Sequence, residues 1–309
     1  MGVKIIPNIN LFIVGAAKSG TTSLYNYLIQ HPDIFLPRIK EPNFYSDAES
    51  DNPKDYTIPK KGETCHKRMI NDKDVYYSLF EGAEDYKILA DASPSYLWDK
   101  NAAKRIYADY PNAKIVILLR NPVQRAYSHY LMDLKYGHQF EKNFKQAILN
   151  DEKTTPKLWG KAHMYLEIGL YLNQIKKYLD VFGEKKVKVI IYEDFVKDIG
   201  HCLKEICVFL NIDSSLVENI DYGEVHNSFT VPSGKLSEIA IKYKRKAKSL
   251  KNVLPKFLKD YLNKNVLYKE AEKPKLKLED KLFLYDYFKE DIEGIEQLLK
   301  IDLSHWKIV

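Results

Sequence analysis

The sequence predicts an α/β protein of one domain, with a mostly parallel central sheet, a phosphate-binding loop after its first strand and helices on both faces. Three observations predict it. Short β-branched or leucine-rich runs at 10–14 and 114–119, and weaker ones at 87–91 and 187–192, alternate with longer stretches of helical apolar spacing. The first run, Leu11-Phe12-Ile13-Val14, passes straight into a glycine-flanked turn and the start of a helix, the strand–turn–helix order of a sheet whose strands run parallel. No repeat or low-complexity linker divides the 309 residues, of which 45% are hydrophobic, so 1–309 reads as a single domain ending in a helical, lysine-rich part at 235–309.

The first strand feeds an anion cup. Gly15 and Gly20 permit backbone conformations closed to other residues, and a helix beginning near Thr21 adds its positive dipole end to the same place. In a nucleotide-triphosphatase loop the second glycine is followed by lysine and then Ser or Thr. Here Thr21 follows Gly20 and the lysine sits earlier, at Lys18, so the hydroxyls of Thr21, Thr22 and Ser23 and the loop amides suit a phosphate rather than Mg·ATP.

The 114–119 strand ends at Arg120, and open α/β sheets bind ligands at the carboxyl ends of their strands. Asn121 is an N-cap with Pro122 at the first helical position and Gln124 placed to complete a capping box, and the helix runs to about Lys135 before Gly137. Ser128 lies eight residues beyond Arg120, about two turns into that helix, so a guanidinium and a hydroxyl can converge on one phosphate. Further helical spacing covers 163–181, 199–210 and 277–300, while 46–80 and 136–162 read as variable loops suited to an acceptor pocket.

Composition sets bounds. No run approaches the ~20 apolar residues of a membrane-spanning helix, and Ile6 breaks the myristoylation pattern that Gly2 begins, so a cytoplasmic location is the expectation. Cys65, Cys202 and Cys207 are odd in number and lack metal-ligand spacing, which points to free thiols and to no metal. Residues 235–264 hold ten Lys or Arg against two acidic residues; this stretch is either a solvated helix face or a contact for an anionic glycan or lipid surface. No nucleic-acid-binding module accompanies the charge, so nucleic acid is not an expected partner.

Five segments together resemble the sulfotransferases that use 3′-phosphoadenosine 5′-phosphosulfate (PAPS), in their bacterial and heparan-sulfate-type branch. Lys18-Ser19-Gly20-Thr21-Thr22-Ser23 is similar to the family's 5′-phosphosulfate loop, and Lys40-Glu41-Pro42-Asn43-Phe44-Tyr45 to its acidic catalytic segment. Asp91-Ala92-Ser93-Pro94-Ser95-Tyr96 resembles the Glu-x-Ser-Pro-x-Tyr stretch, Arg120 to Ser128 the 3′-phosphate signature, and Asp302-Leu303-Ser304-His305-Trp306 a common bacterial ending.

The resemblance implies PAPS as sulfuryl donor and an acceptor that is a carbohydrate, a glycolipid or a small natural product. It implies cofactor contacts from Lys18, Ser19, Gly20, Thr21, Thr22, Ser23, Ser93, Arg120 and Ser128, and from Lys235 in a looser late-loop match. Lys18 is the candidate for stabilising the leaving phosphate. Glu41 is the candidate base, provided that Ile39, Pro42, Phe44 and Tyr45 bury it and raise its pKa. An exposed ion pair with Lys40 is the ordinary alternative. His31, His66 and His129 are reserve bases, because related cytosolic enzymes use histidine. Ala92 stands where some glycan-modifying relatives carry a second lysine. A nucleotide kinase would account for the first segment alone, and a non-catalytic anion-binding or membrane-surface protein for the loop and the basic run alone.

Overall fold

Every residue from Leu11 to Gly15 is buried, and strands of the same apolar kind flank them on both sides. A computed structural model describes residues 6–47, 70–223 and 274–307, together with positions 52, 54 and 56 and backbone pieces at 59–60, 63–64, 230–232 and 268–270. The elements in chain order begin with β1 Leu11–Gly15, α1 Thr21–Leu28, β2 Ile34–Phe35, β3 Pro59–Lys60, β4 Glu63–Thr64, α2 Lys73–Ser78 and β5 Ile88–Ala92. They continue with α3 Ser95–Trp98, α4 Ala102–Asp109, β6 Lys114–Leu119, α5 Pro122–Tyr136, α6 Phe144–Glu152, α7 Leu172–Phe182 and β7 Val187–Ile191. The last are α8 Tyr192–Lys197, α9 Ile199–Leu210, β8 Thr230–Pro232, β9 Tyr268–Glu270 and α10 Leu278–Leu299.

The central sheet has five strands in the order β2-β5-β1-β6-β7, all parallel. Alternation sorts its side chains between two cores. Phe12, Val14, Ile115, Ile117 and Leu119 pack with Ile106, Ile175 and Phe288 of the helices on one face. Leu11, Ile13, Val116 and Leu118 pack with Leu24 of α1 and Leu203 and Ile206 of α9 on the other. Each such side chain, fully buried, contributes about 1.5–3 kcal/mol, so both faces hold the sheet between helices. From β1 the chain moves outward to β2 on one side, and from β6 outward to β7 on the other. The carboxyl ends of β1 and β6 therefore border the crevice where connections diverge, which is where parallel sheets take ligands.

The helix after β6 matches its sequence signals at both ends. Asn121 Oδ1 accepts from the amides of Val123 and Gln124 at 3.0 and 3.2 Å, and Gly137 closes the helix at a left-handed φ of 68°. The capping box is completed from elsewhere: it is Glu193 Oε1, not the Gln124 side chain, that accepts from the Asn121 amide, at 3.1 Å.

Three expectations need correction. The 163–181 stretch is not one helix: Met164 takes a left-handed φ of 55°, and α7 begins only at Leu172. Asp151 occupies the His163 amide at 2.6 Å, and Asp291 from α10 caps the Tyr171 and Leu172 amides at 2.7 and 3.1 Å. The 136–162 region is not all loop, because Asn143 caps α6 by accepting from the Gln146 amide at 2.9 Å. The 46–80 region likewise contains α2, capped by Asp72. No helix among the described residues is long and apolar enough to cross a membrane. Lys235, the basic stretch 235–264, Cys65 and His66 lie outside the described residues. Cys202 and Cys207 are buried free thiols.

Candidate active site

At the end of β1 the chain turns through Gly20, whose φ of 93° favours glycine and which stands as the N-cap of α1. A Cβ there would also come within 2.8 Å of the Tyr192 ring, so two independent demands fix the residue. Gly15 admits a close approach by α3, since a Cβ would lie 2.5 Å from Cβ of Leu97. No side chain caps α1. The orphan amides of its first turn, with Thr21 buried and Thr22 and Ser23 half-buried beside them, thus face the crevice as donors for an anion. Ser19 is fully buried beneath the turn.

Arg120 joins β6 to this cup. Its Nη1 donates to the Lys18 carbonyl at 3.3 Å, and its guanidinium lies 4.7 Å from the centroid of the Tyr192 ring. The Tyr171 hydroxyl donates to the Arg120 carbonyl at 3.0 Å, which fixes the backbone from behind. Ser128, Met132 and Lys135, all half-buried, follow one another on α5 at helical spacing. Lys18 reaches this stripe, its Nζ standing 3.3 Å from Met132 Sδ. Burial lowers the pKa of the Lys18 ammonium; the Asp133 and Glu41 carboxylates work against that fall while Arg120 and Lys135 add to it. Arg125, in the first turn of α5, is fully buried, and its Nη2 donates to the Tyr165 carbonyl.

Glu41 lies on a strained segment. Lys18, Glu41 and Asn43 have left-handed φ values of 69°, 60° and 54°, so half of the six such non-glycine residues described stand at this site, where stored strain is characteristic of function. The expected apolar burial of Glu41 is not found: its side chain is 39% exposed, and Oε1 pairs with Lys40 Nζ.

Beneath this segment Asp91 acts as an organiser. Its Oδ2 accepts from the hydroxyls of Tyr76 and Tyr96, each at 2.8 Å, and its Oδ1 from Ser93 at 2.7 Å. Ser93 Oγ in turn accepts from the Asn43 amide at 3.1 Å. Burial pushes the Asp91 carboxyl up to about 6 in spite of these donors. Ser93 was expected at the cofactor; it is instead fully buried, and its hydroxyl ties the end of β5 to the Glu41–Tyr45 segment.

A second polar cluster, of which the sequence pointed only to His129, surrounds Asp133 one turn beyond it on α5. Asp133 Oδ2 lies 2.8 Å from His163 Nδ1 and 3.7 Å from His129 Nε2, and accepts from the Tyr165 hydroxyl at 2.9 Å. His138 Nδ1 lies 3.6 Å from Oδ1. Through these contacts, which outweigh its burial, Asp133 stays well below the usual carboxylate range. Burial pushes the His129 ring down to about 3 and leaves it 5% exposed, which removes it as a base. His31 is also structural: Nδ1 accepts from the Asp33 amide at 3.2 Å and Nε2 lies 2.9 Å from the Asp213 carbonyl. No cluster able to hold a metal occurs among the described residues.

Comparison with known proteins identifies the family. A family model described as the sulfotransferase family matches residues 10–215, a span that contains the cup, Glu41, Asp91 and Arg120. Human carbohydrate sulfotransferase 15 is 26% identical over 253 residues, covering 66% of this chain and 44% of the human protein. Human heparan sulfate glucosamine 3-O-sulfotransferase 6 is 27% identical over 186 residues, covering 60% of this chain and 47% of its own length. The chain thus spans less than half of these curated relatives. The crystal structure of a sulfotransferase from Alicyclobacillus acidocaldarius superposes with a TM-score of 0.72 at 29% identity, over 97% of this chain and 99% of that one. With the family model extending across both halves of the phosphate-binding crevice, the chain belongs to the sulfotransferase family.

Proposed function

We propose that this protein moves a sulfuryl group from PAPS to a hydroxyl or amine of a carbohydrate, with Glu41 as the base. One observation carries the reading: Arg120, at the end of β6, is tied at 3.3 Å to the loop that follows β1. A 5′-phosphate in the cup and a second phosphate at Arg120 and Ser128 are the two anions that PAPS carries and ATP does not carry in that arrangement. The residues present fit that donor. Lys18, Gly20, Thr21, Thr22 and Ser23 would hold its 5′ end, and Arg120 and Ser128 its 3′-phosphate.

Bound there, PAPS would supply a sulfuryl group on a phosphate leaving group. Negative charge would grow on the leaving oxygen, and the Lys18 ammonium together with the α1 amides would stabilise it. The acceptor loses a proton as it attacks, and the 39% exposed Glu41 carboxylate, paired with Lys40 through Oε1, is the group proposed to take it. Carbohydrate is the acceptor class that the names of the human relatives favour.

Calorimetry without Mg²⁺ tests the donor reading. Adenosine 3′,5′-bisphosphate should bind roughly 10–100-fold more tightly than adenosine 5′-monophosphate, as a charge-assisted contact of about 1.5–3 kcal/mol requires. Equal affinities, or a preference for Mg·ATP over both, would overturn it.

A further inference from the structure

The carboxyl-terminal segment Asp302–Trp306 has no part in the donor or acceptor reading, yet Trp306 is only 1% exposed. Its indole Nε1 donates to Glu193 Oε2 at 3.1 Å. The other oxygen, Oε1, accepts from the Asn121 amide at 3.1 Å, and Asn121 Nδ2 donates to the Trp306 carbonyl at 3.2 Å. Three residues far apart in sequence thus close a ring of hydrogen bonds, two of them to a carboxylate and therefore strengthened by its charge.

That ring touches Arg120 from two directions. Asn121 is the next residue in the chain, so the amide that Glu193 holds belongs to the peptide unit of the Arg120 carbonyl. Glu193 also directly follows Tyr192, whose ring lies 4.7 Å from the Arg120 guanidinium. The Tyr171 hydroxyl holds the same carbonyl at 3.0 Å, and the Tyr171 and Trp306 rings lie 6.4 Å apart. The tail is itself pinned to α10, where Glu296 accepts from the Leu303 amide at 2.9 Å and pairs with Lys307 at 2.6 Å. A charged fork is useful for recognition only where its angle is fixed, and here the angle is set by both the peptide and the ring that carries the fork.

We infer that Glu193 and Trp306 are positioning residues for Arg120, and that the tail thereby sets how strongly the site prefers a nucleotide bearing a 3′-phosphate. This rests on the assignment of Arg120 to that phosphate. Trp306→Phe removes the Nε1 donor while keeping an aromatic ring, and Glu193→Gln keeps the shape but cannot accept at both positions. By calorimetry without Mg²⁺, each variant should lose roughly 3–10-fold of the preference for adenosine 3′,5′-bisphosphate over adenosine 5′-monophosphate, the range expected for one hydrogen bond. Monophosphate affinity should stay within about twofold of the wild type, since the cup at 15–23 is untouched. The double variant should lose little more than either single one, because both act through one contact.

Three outcomes overturn the inference. A wild type without any preference removes the donor reading and this inference with it. A preference that both variants retain, but that Arg120→Ala erases, leaves Arg120 in place and removes the tail from recognition. Equal weakening of both nucleotides, accompanied by a lowered Tm, assigns Trp306 and Glu193 to general stability alone. Glu193→Gln reads the same contact from α8, so the test survives if Trp306→Phe fails to fold.

Discussion

Tyr192 is packed so closely against Gly20 that a single added carbon would come within 2.8 Å of its ring, and the same ring carries the Arg120 guanidinium. The phosphate loop and the basic end of β6 are therefore spaced by one aromatic side chain. Gly20→Ala should disturb both at once: a β-carbon at a φ of 93° is strained, and it pushes against the ring. We expect a loss of about 1–3 kcal/mol in unfolding free energy and a loss of nucleotide affinity of at least tenfold. Urea titration and calorimetry check the two effects. A variant with normal affinity would show that the spacing tolerates movement.

Glu41→Gln should lower kcat by roughly 10²-fold or more with an acceptor sugar, while nucleotide affinity changes little. The amide keeps the shape, and it cannot take a proton. Because Lys40 pairs with the carboxylate, the variant also frees that ammonium, so nucleotide affinity should rise rather than fall if it moves at all. Near wild-type kcat would remove Glu41 from the base role and direct attention to other groups at the crevice.

What the sequence revealed and what it hid follow from the range of the signals. β6, α5 and α9 lie within a residue or two of their expected bounds because their apolar spacing and end signals, such as Asn121, Pro122 and Gly137, are local. The start of α7 was misplaced because Asp151 and Asp291, which decide where the amides near 163 and 171 go, come from other elements. The cup and Arg120 were legible as motifs. The burial of Ser93 under Asn43 and the approach of His163 to Asp133 were not, since each depends on contacts between residues tens of positions apart, whereas the exposed Lys40–Glu41 pair joins neighbours and was the ordinary alternative the sequence offered.

Lys18→Ala should weaken nucleotide binding and turnover together, with the larger loss in turnover. The ammonium is held among Met132, Asp133, Arg120 and Glu41, where burial already lowers its pKa, and charge growing on a leaving oxygen would meet it there with little screening. A loss of roughly 10²–10³ in kcat/KM is the expected scale for one such donor. Steady-state kinetics beside a direct Kd separate the two contributions. Equal losses in affinity and kcat/KM would confine Lys18 to ground-state binding.

The cluster around Asp133 predicts how stability changes in acid. Burial pushes the His129 ring from an ordinary value of 6.5 down to about 3, so the folded protein holds it neutral while the unfolded chain takes up a proton below pH 6.5. A base depressed in this way contributes stability that is present above pH 6.5 and is lost as pH falls toward 3. Asp133 adds a loss of the same sign at lower pH: its folded pKa is depressed, so its contribution is present above the unfolded value of 3.8 and lost below it. His163, His138, Lys18, Arg125 and Tyr165 face the pair from the surrounding elements, and of these His163, His138 and Tyr165 contact Asp133 directly. Between pH 6.5 and 4.5 His129 should therefore lower the unfolding free energy by at most about 1.4 kcal/mol per pH unit, while Asp91 and Asp291, whose carboxyls burial pushes up to about 6, take up protons in the folded state and act in the opposite sense. His129→Gln should be less stable at pH 7, because it replaces a packed ring, but its deficit relative to the wild type should shrink as pH falls over that interval. Urea unfolding at pH 7.0, 6.0 and 5.0 measures both slopes. If the variant and the wild type change in parallel with pH, His129 is not the group that takes up the proton.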